Sequence, residues 1–137
     1  MTIEKSESLP VRSGSEVVAV RHLVRRFAVD LGLSLVEQTK IVTAASELAR
    51  NMVDYGGGGT MRAEALIEGA RRGLRLVFDD QGPGIPDLDA ALRDGFTTGN
   101  GMGLGLGGAK RLSNEFHIRT GPGEGTTVTI VRWKGGS

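Results

Sequence analysis

An α+β fold, arranged as a two-layer α/β sandwich, follows from three features of this 137-residue chain. Two long segments in the first half repeat apolar residues at helical spacing. Later segments alternate apolar and polar residues over short runs, as half-buried strands do. Those runs come in pairs joined by glycine turns. A mixed, mostly antiparallel sheet with helices on one face is the simplest way to bury both patterns.

Residues 3–12 form a first strand. Val17, Val20, Leu23, Val24, Phe27, Ala28 and Leu31 place an amphipathic helix over 15–31, and Gly32 stops it. His22 falls on the polar face of that helix. Ser34 followed by Glu37 is a capping-box pair, so a second helix starts there and runs to about Asp54. Ile41, Ala45, Leu48 and Met52 form its apolar stripe, and the glycines at 56–59 end it. Residues 60–69 and 73–80 read as a hairpin. A short helical piece near 87–93 precedes a glycine- and threonine-rich loop over 94–102 and a helix near 104–113. The last two strands are 116–120 and 126–133, joined by the Gly121–Gly125 turn.

The length predicts one domain spanning residues 1–137, long enough to bury a core. The absence of cysteine excludes disulfides and thiolate metal sites, and two histidines are too few for a histidine-based zinc site. The formal charge is +1, from 17 basic and 16 acidic residues, without a long run of either sign. Nothing in that distribution supports nucleic-acid or membrane binding. The first ten residues lack the apolar stretch of a signal peptide, and no apolar run is long enough for a membrane span. A soluble cytoplasmic protein is the expectation. The composition departs from the ordinary at glycine: 22 residues, about twice the usual share. They cluster at 56–59, 82–84, 95–108 and 121–125, which suggests loops that approach something closely.

Three of these clusters adjoin polar residues with chemical potential. Glu47 and Asn51 lie four apart on the second helix, on one face and at the edge of its apolar stripe. A solvated flank is the ordinary meaning of such a pair. Asp80 ends a strand and runs into Gly82 and Gly84. A tight turn is the ordinary meaning there. The alternative is a pocket: a strand-end carboxylate accepts a hydrogen bond from an exocyclic amine, and the glycines admit a flat base. Adenine has that amine. Asp79 precedes Asp80, and alternation sends only one of the two inward. Gly101, Gly103, Gly105 and Gly107 occupy every second position and then open a helix, whose free amides suit phosphate. Thr126 and Thr127 open the last strand. Threonines are ordinary in an edge strand, and a nucleotide contact from Thr126 has meaning only beside the other motifs.

Gly103, Gly105 and Gly108 also satisfy the G-x-G-x-x-G dinucleotide fingerprint, with Glu124 about 20 residues on. That reading is rejected. No strand precedes these glycines, Glu124 sits in a turn, and the remaining chain is too short for a dinucleotide fold.

The order Glu47-x-x-x-Asn51, Asp80-x-Gly82-x-Gly84, Gly103-x-Gly105-x-Gly107 and Gly125-Thr126 resembles the ATP-binding superfamily of gyrase B subunits, sensor histidine kinases and anti-sigma-factor serine kinases. Within it, Ser46–Asn51, Asp80–Asp87, Asp94-Gly95-Phe96, Lys110-Arg111-Leu112, Glu115-Phe116 and Arg132-Trp133 look like RsbT-type switch kinases of bacterial stressosome modules. The resemblance implies ATP and Mg²⁺ as cofactors. It implies Glu47 as general base and Asn51 as the Mg²⁺ ligand, where one protein oxygen suffices because phosphates and water complete the shell. It further implies Asp80 as the adenine reader, with Gly82, Gly84 and Ile85 lining the base pocket. Gly101, Gly103, Leu104, Gly105, Leu106 and Gly107 would line the phosphates, with Thr126 a further nucleotide contact. Residues 94–102 would be a short ATP lid. Arg50 and Lys110 are candidates for phosphate or partner contacts, although a surface salt bridge explains either.

The implied activity is serine/threonine phosphorylation of STAS-domain proteins, which frees the kinase to activate a downstream phosphatase. A second reading is an anti-sigma factor that captures a sigma factor, and a third is a nucleotide-bound adaptor without phosphotransfer. A sensor histidine kinase is disfavoured, because no long helix carrying a phosphoacceptor histidine precedes the domain.

Overall fold

A computed structural model of the chain describes residues 1–85, 87–92 and 105–136. Strand β1 (Thr2–Val11) leads into helices α1 (Gly14–Asp30) and α2 (Leu35–Asp54). Strands β2 (Gly59–Glu68) and β3 (Arg71–Asp80) follow as a hairpin. Helices α3 (Leu88–Ala91) and α4 (Leu106–Arg111) precede β4 (Glu115–Thr120) and β5 (Thr126–Trp133). Each expected element is present within a few residues. The β2–β3 connection is tighter than strands over 60–69 and 73–80 imply, since Glu68 already pairs with Arg71 across a two-residue turn.

The five strands form one sheet in the order β1-β2-β3-β5-β4. Every pair is antiparallel, so the sheet is not mixed as expected. Two helices, not one, separate β1 from β2; the double crossing returns the chain in the opposite direction. β3 and β4 would be candidates for a parallel pair, but β5 folds back between them. For the same reason β5 is an interior strand, and the edge position expected for Thr126 and Thr127 belongs to β4.

Both helices cover one face. Val17, Val20, Val24 and Phe27 of α1 and Ile41, Ala45, Leu48 and Met52 of α2 are buried in one cluster with Met61, Ala63, Leu74, Leu76, Phe78, Val128 and Ile130. The strand members alternate along β2, β3 and β5, so one parity of each strand meets the helices. Burying Phe27 or Phe78 contributes about 2–3 kcal/mol each. The opposite parity carries a second, small cluster of Leu66, Val131 and Trp133. The Arg71 guanidinium sits 4.0 Å from the Trp133 ring centroid. Beside this cluster the buried Glu64 bridges Arg75 (2.6 Å) and Arg62 (3.1 Å).

The capping box forms as read. Ser34 Oγ accepts from the Glu37 N–H at 3.1 Å, and Glu37 Oε1 accepts from the Ser34 N–H at 2.8 Å. One contact was not legible. The Gly135 N–H donates to Glu37 Oε2 at 2.7 Å, which ties the C-terminal segment to the start of α2. His22 is exposed, as its place on the helix requires. Among the described residues no helix is long and apolar enough to cross a membrane.

Candidate nucleotide site

A cleft opens where the C-terminal half of α2 meets the ends of β3 and β5. Leu48, Asn51, Met52, Tyr55 and Gly56 form one wall; Phe78 and Val128 lie beneath; Asp80, Pro83, Gly84, Ile85, Leu106 and Thr126 complete the lining. Pairing sets this arrangement: β3 and β5 run antiparallel with Asp80 opposite Thr126 and Phe78 opposite Val128.

Asp80 is buried, and Asp79 is exposed on the other side of the sheet. Alternation therefore sends Asp80 into the cleft. Its Oδ1 accepts the Gly82 N–H at 2.9 Å, and its carboxylate also accepts the Thr126 backbone N–H. Burial pushes the Asp80 carboxyl above the usual aspartate value, the two backbone donors oppose that, and the neighbouring Asp79 charge adds to it. Asp79 instead accepts the Thr127 hydroxyl at 2.8 Å.

The glycines around Asp80 are required by close approach. A Cβ on Gly56 would lie 2.6 Å from the Asp80 carboxyl carbon, and one on Gly82 would lie 2.6 Å from the Gly56 carbonyl oxygen. Gly82 is thus behind the cleft wall, supporting Asp80 with its N–H, and does not line the cavity. Gly84 does line it. Its φ is +81°, and a Cβ there would lie 2.0 Å from the Gly121 carbonyl oxygen. Both the dihedral and the contact exclude a side chain.

Asn51 reaches the cavity wall, and Glu47, one turn earlier on the same helix face, is exposed outside the lining. The Glu47 carboxylate rests against Gly105: a Cβ on Gly105 would meet Glu47 Oε2 at 2.6 Å. Gly105 is the N-cap of α4 with φ +68°. Leu106 and Gly107 are buried, and Leu106 lines the cleft. Gly101, Gly103, Leu104 and the lid segment 94–102 lie outside the described residues. Arg50 and Lys110 are exposed and do not line the cleft. The Arg50 guanidinium instead lies near the start of α1, 4.0 Å from the position of a Gly14 Cβ.

The donor set suits magnesium. A single amide oxygen on the cleft wall is the kind of protein ligand that a phosphate-bound Mg²⁺ uses. Among the described residues no group of three or more His, Asp or Glu side chains forms a dedicated cage.

Sequence reasoning missed Tyr55 and Gly56. Tyr55 follows Asn51 by four residues, so the spacing that joined Glu47 to Asn51 extends to it. Leu48 and Met52 were legible only as core residues, and both also line the cleft.

Residues 36–135 match the family model described as histidine kinase-, DNA gyrase B-, and HSP90-like ATPase. The chain is 44% identical over 118 residues to the serine/threonine-protein kinase RsbT of Bacillus subtilis (strain 168), covering 86% of this chain and 89% of that protein. It is 29% identical over 121 residues to the anti-sigma F factor of Thermoanaerobacter sp. (strain X514), covering 84% and 83%. Among solved structures, the RsbU and RsbW domains of a Mycobacterium tuberculosis protein share the fold at a TM-score of 0.61 and 20% identity, over 93% of this chain and 32% of that one. The SiaB-SiaC complex of Pseudomonas aeruginosa shares it at a TM-score of 0.53 and 13% identity, over 96% and 90%.

Proposed function

Because the chain belongs to the histidine kinase-, DNA gyrase B- and HSP90-like ATPase family, we propose that it is an ATP-dependent serine/threonine protein kinase of a bacterial partner-switching module. The observation that carries this reading is the convergence of Asp80 and Asn51 on one cleft, with the Glu47 carboxylate a turn away against Gly105. The relationship to RsbT over most of both chains supports the kinase assignment.

In this mechanism the Asp80 carboxylate accepts the exocyclic amine of adenine. The base lies against Gly84 and Ile85, with Met52, Phe78 and Val128 as the apolar floor. Asn51 would hold Mg²⁺ through its side-chain oxygen, and the metal would offset charge on the phosphates as they transfer. Gly105 to Gly107 present backbone amides toward the phosphates. Glu47 takes the proton of an incoming serine or threonine hydroxyl. The hydroxyl oxygen then bonds the γ-phosphorus, the bond to the β-phosphate oxygen breaks, and ADP leaves. Glu47 is exposed, which suits a base that must meet a side chain on another protein.

The acceptors in this proposal are STAS-domain proteins of the same cytoplasmic module, and their phosphorylation frees the kinase to activate a downstream phosphatase. The anti-sigma F relatives favour a second reading, an ATP-dependent anti-sigma factor that captures a sigma factor. Two measurements test these readings. Glu47→Gln should bind ATP normally and lose phosphate transfer to a STAS protein by about 10²–10⁴-fold; undiminished transfer would refute Glu47 as base. In a pull-down with STAS protein, phosphatase and sigma factor offered together, capture of sigma factor alone would replace the first reading with the second.

A further inference from the structure

We infer that Thr120, outside the cleft lining, is a positioning residue that sets nucleotide selectivity by orienting the hydroxyl of Thr126. This rests on the reading of the Asp80 cleft as the adenine pocket. Thr120 ends β4, and its hydroxyl oxygen has three partners. The Ile85 N–H donates to it at 2.9 Å, it donates to the Gly125 carbonyl at 3.1 Å, and the Thr126 hydroxyl lies at 2.9 Å.

A hydroxyl has one proton to give and two lone pairs with which to accept. The proton of Thr120 is engaged by the Gly125 carbonyl, and one lone pair by Ile85. Making all three hydrogen bonds at once then requires Thr126 to donate. With its own proton directed at Thr120, the Thr126 oxygen offers the cleft only lone pairs. Asp80, opposite Thr126 across the β3–β5 pair, is also an acceptor. The polar end of the pocket then presents acceptors on both strands. An amine at purine position six is welcome there, and a carbonyl oxygen meets two acceptors without a proton between them.

The same residue holds the loop that shapes the pocket. Besides the Thr120–Ile85 bond, the Gly123 N–H donates to the Pro83 carbonyl at 2.7 Å. Gly84 lies on the Gly121 carbonyl, and a Cβ on Gly125 would lie 2.3 Å from the Asp80 carbonyl. The glycine-rich β4–β5 turn is thus the backing of the adenine loop, and Thr120 is the side chain that joins the two.

The test uses the full chain and competitive binding of ATP and inosine triphosphate, which carries oxygen at position six. Thr120→Val removes the hydroxyl and keeps the shape. It should raise the Kd for ATP about tenfold, one net hydrogen bond's worth, and narrow the ATP-to-ITP selectivity by a similar factor. The catalytic rate at saturating ATP should stay within about twofold to threefold. Thr120→Ser restores the hydroxyl and should restore both affinity and selectivity. An unchanged selectivity ratio in folded Thr120→Val, or a loss in Thr120→Ser equal to that in valine, would overturn the proposal. Asp80→Asn separates the underlying reading: ATP binding undiminished in that variant would remove the adenine pocket itself and this proposal with it. Should the valine variant fail to fold, the Ile85 amide of the unaltered protein decides. Slow hydrogen exchange supports the bond to Thr120, and exchange at the open-chain rate overturns it.

Discussion

Gly105→Ala should disable phosphate transfer by displacing Glu47, and the size of the effect follows from two structural features. The first is backbone strain. At φ +68° a left-handed alanine costs about 1–2 kcal/mol, a fall in melting temperature of roughly 3–8 °C for a chain of this size. The second is contact. The new Cβ would lie 2.6 Å from Glu47 Oε2 and 3.1 Å from Glu47 Cβ. Relaxing to an ordinary carbon–oxygen separation moves the carboxylate by about 0.8 Å. A displacement of about 1 Å at a reacting group costs about 10²-fold in rate, so kcat should fall roughly 10- to 100-fold. The assay is single-turnover transfer from ATP to a STAS protein, measured in four proteins: unaltered, Gly105→Ala, Glu47→Gln, and the double variant. If the lesion acts through the carboxylate, Gly105→Ala should cost less than about twofold once Glu47 is already glutamine, a coupling of the kind double-mutant cycles isolate. The same factor in both backgrounds, or a kcat unchanged in Gly105→Ala, would refute the placement of Glu47 as the group that Gly105 accommodates.

Two further predictions concern the frame of the site. Glu37→Gln should destabilise the protein by about 2 kcal/mol at pH 7, since it removes a charged acceptor shared by Ser34 and Gly135. Burial alone would raise the Glu37 carboxyl, but the Ser34 and Gly135 donors and the Arg132 charge outweigh it and hold the carboxyl below the ordinary range. A lowered folded value means that this stabilisation is complete above the ordinary glutamate value of 4.5 and is lost as pH falls through the folded value. Urea unfolding should therefore show the two proteins converging in acid, and a gap that stays constant into acid would contradict the assignment. Gly84→Ala should weaken ATP binding more than about tenfold, because its Cβ would lie 2.0 Å from the Gly121 carbonyl at φ +81°. Titration calorimetry showing normal affinity would count against the loop geometry.

What was legible in the sequence was local. The Ser34–Glu37 capping box, the helical face shared by Glu47 and Asn51, the alternation that divides Asp79 from Asp80, and β5 over Thr126–Trp133 all depend on residues a few positions apart. What was not legible depends on register between distant segments. Gly56 read as a helix stop, yet its lack of a side chain is demanded by Asp80, on a strand paired to β2. Gly73 read as the first residue of its strand, yet it lies inside β3 (Arg71–Asp80), where a Cβ would come within 2.5 Å of the Trp133 ring. The insertion of β5 between β3 and β4 determines both the antiparallel sheet and the meeting of Asp80 with Thr126, and no local pattern encodes it.

The excess of glycine acquires a specific meaning from these contacts. At Gly56, Gly82, Gly84 and Gly125, an added Cβ would strike the Asp80 side chain or the backbone of a segment packed beside the cleft, at separations of 2.0–2.6 Å. The walls around Asp80 are therefore backbone packed on backbone, thin enough for a flat base to lie close to main-chain amides. Such walls have few side chains to fill space or to shield a charge. Burial, with the neighbouring Asp79 charge adding to it, pushes the Asp80 carboxyl upward against the two opposing backbone N–H groups of Gly82 and Thr126. For an acid, a raised folded value means the folded state binds the extra proton, so Asp80 reduces stability as pH rises from the ordinary aspartate value through the folded one. An amine donor entering the cleft supplies the partner that burial withholds from the ionised carboxylate. Under the proposed function, binding of the base and relief of that burial cost would be one event, and a preference for an amine at position six would follow from it.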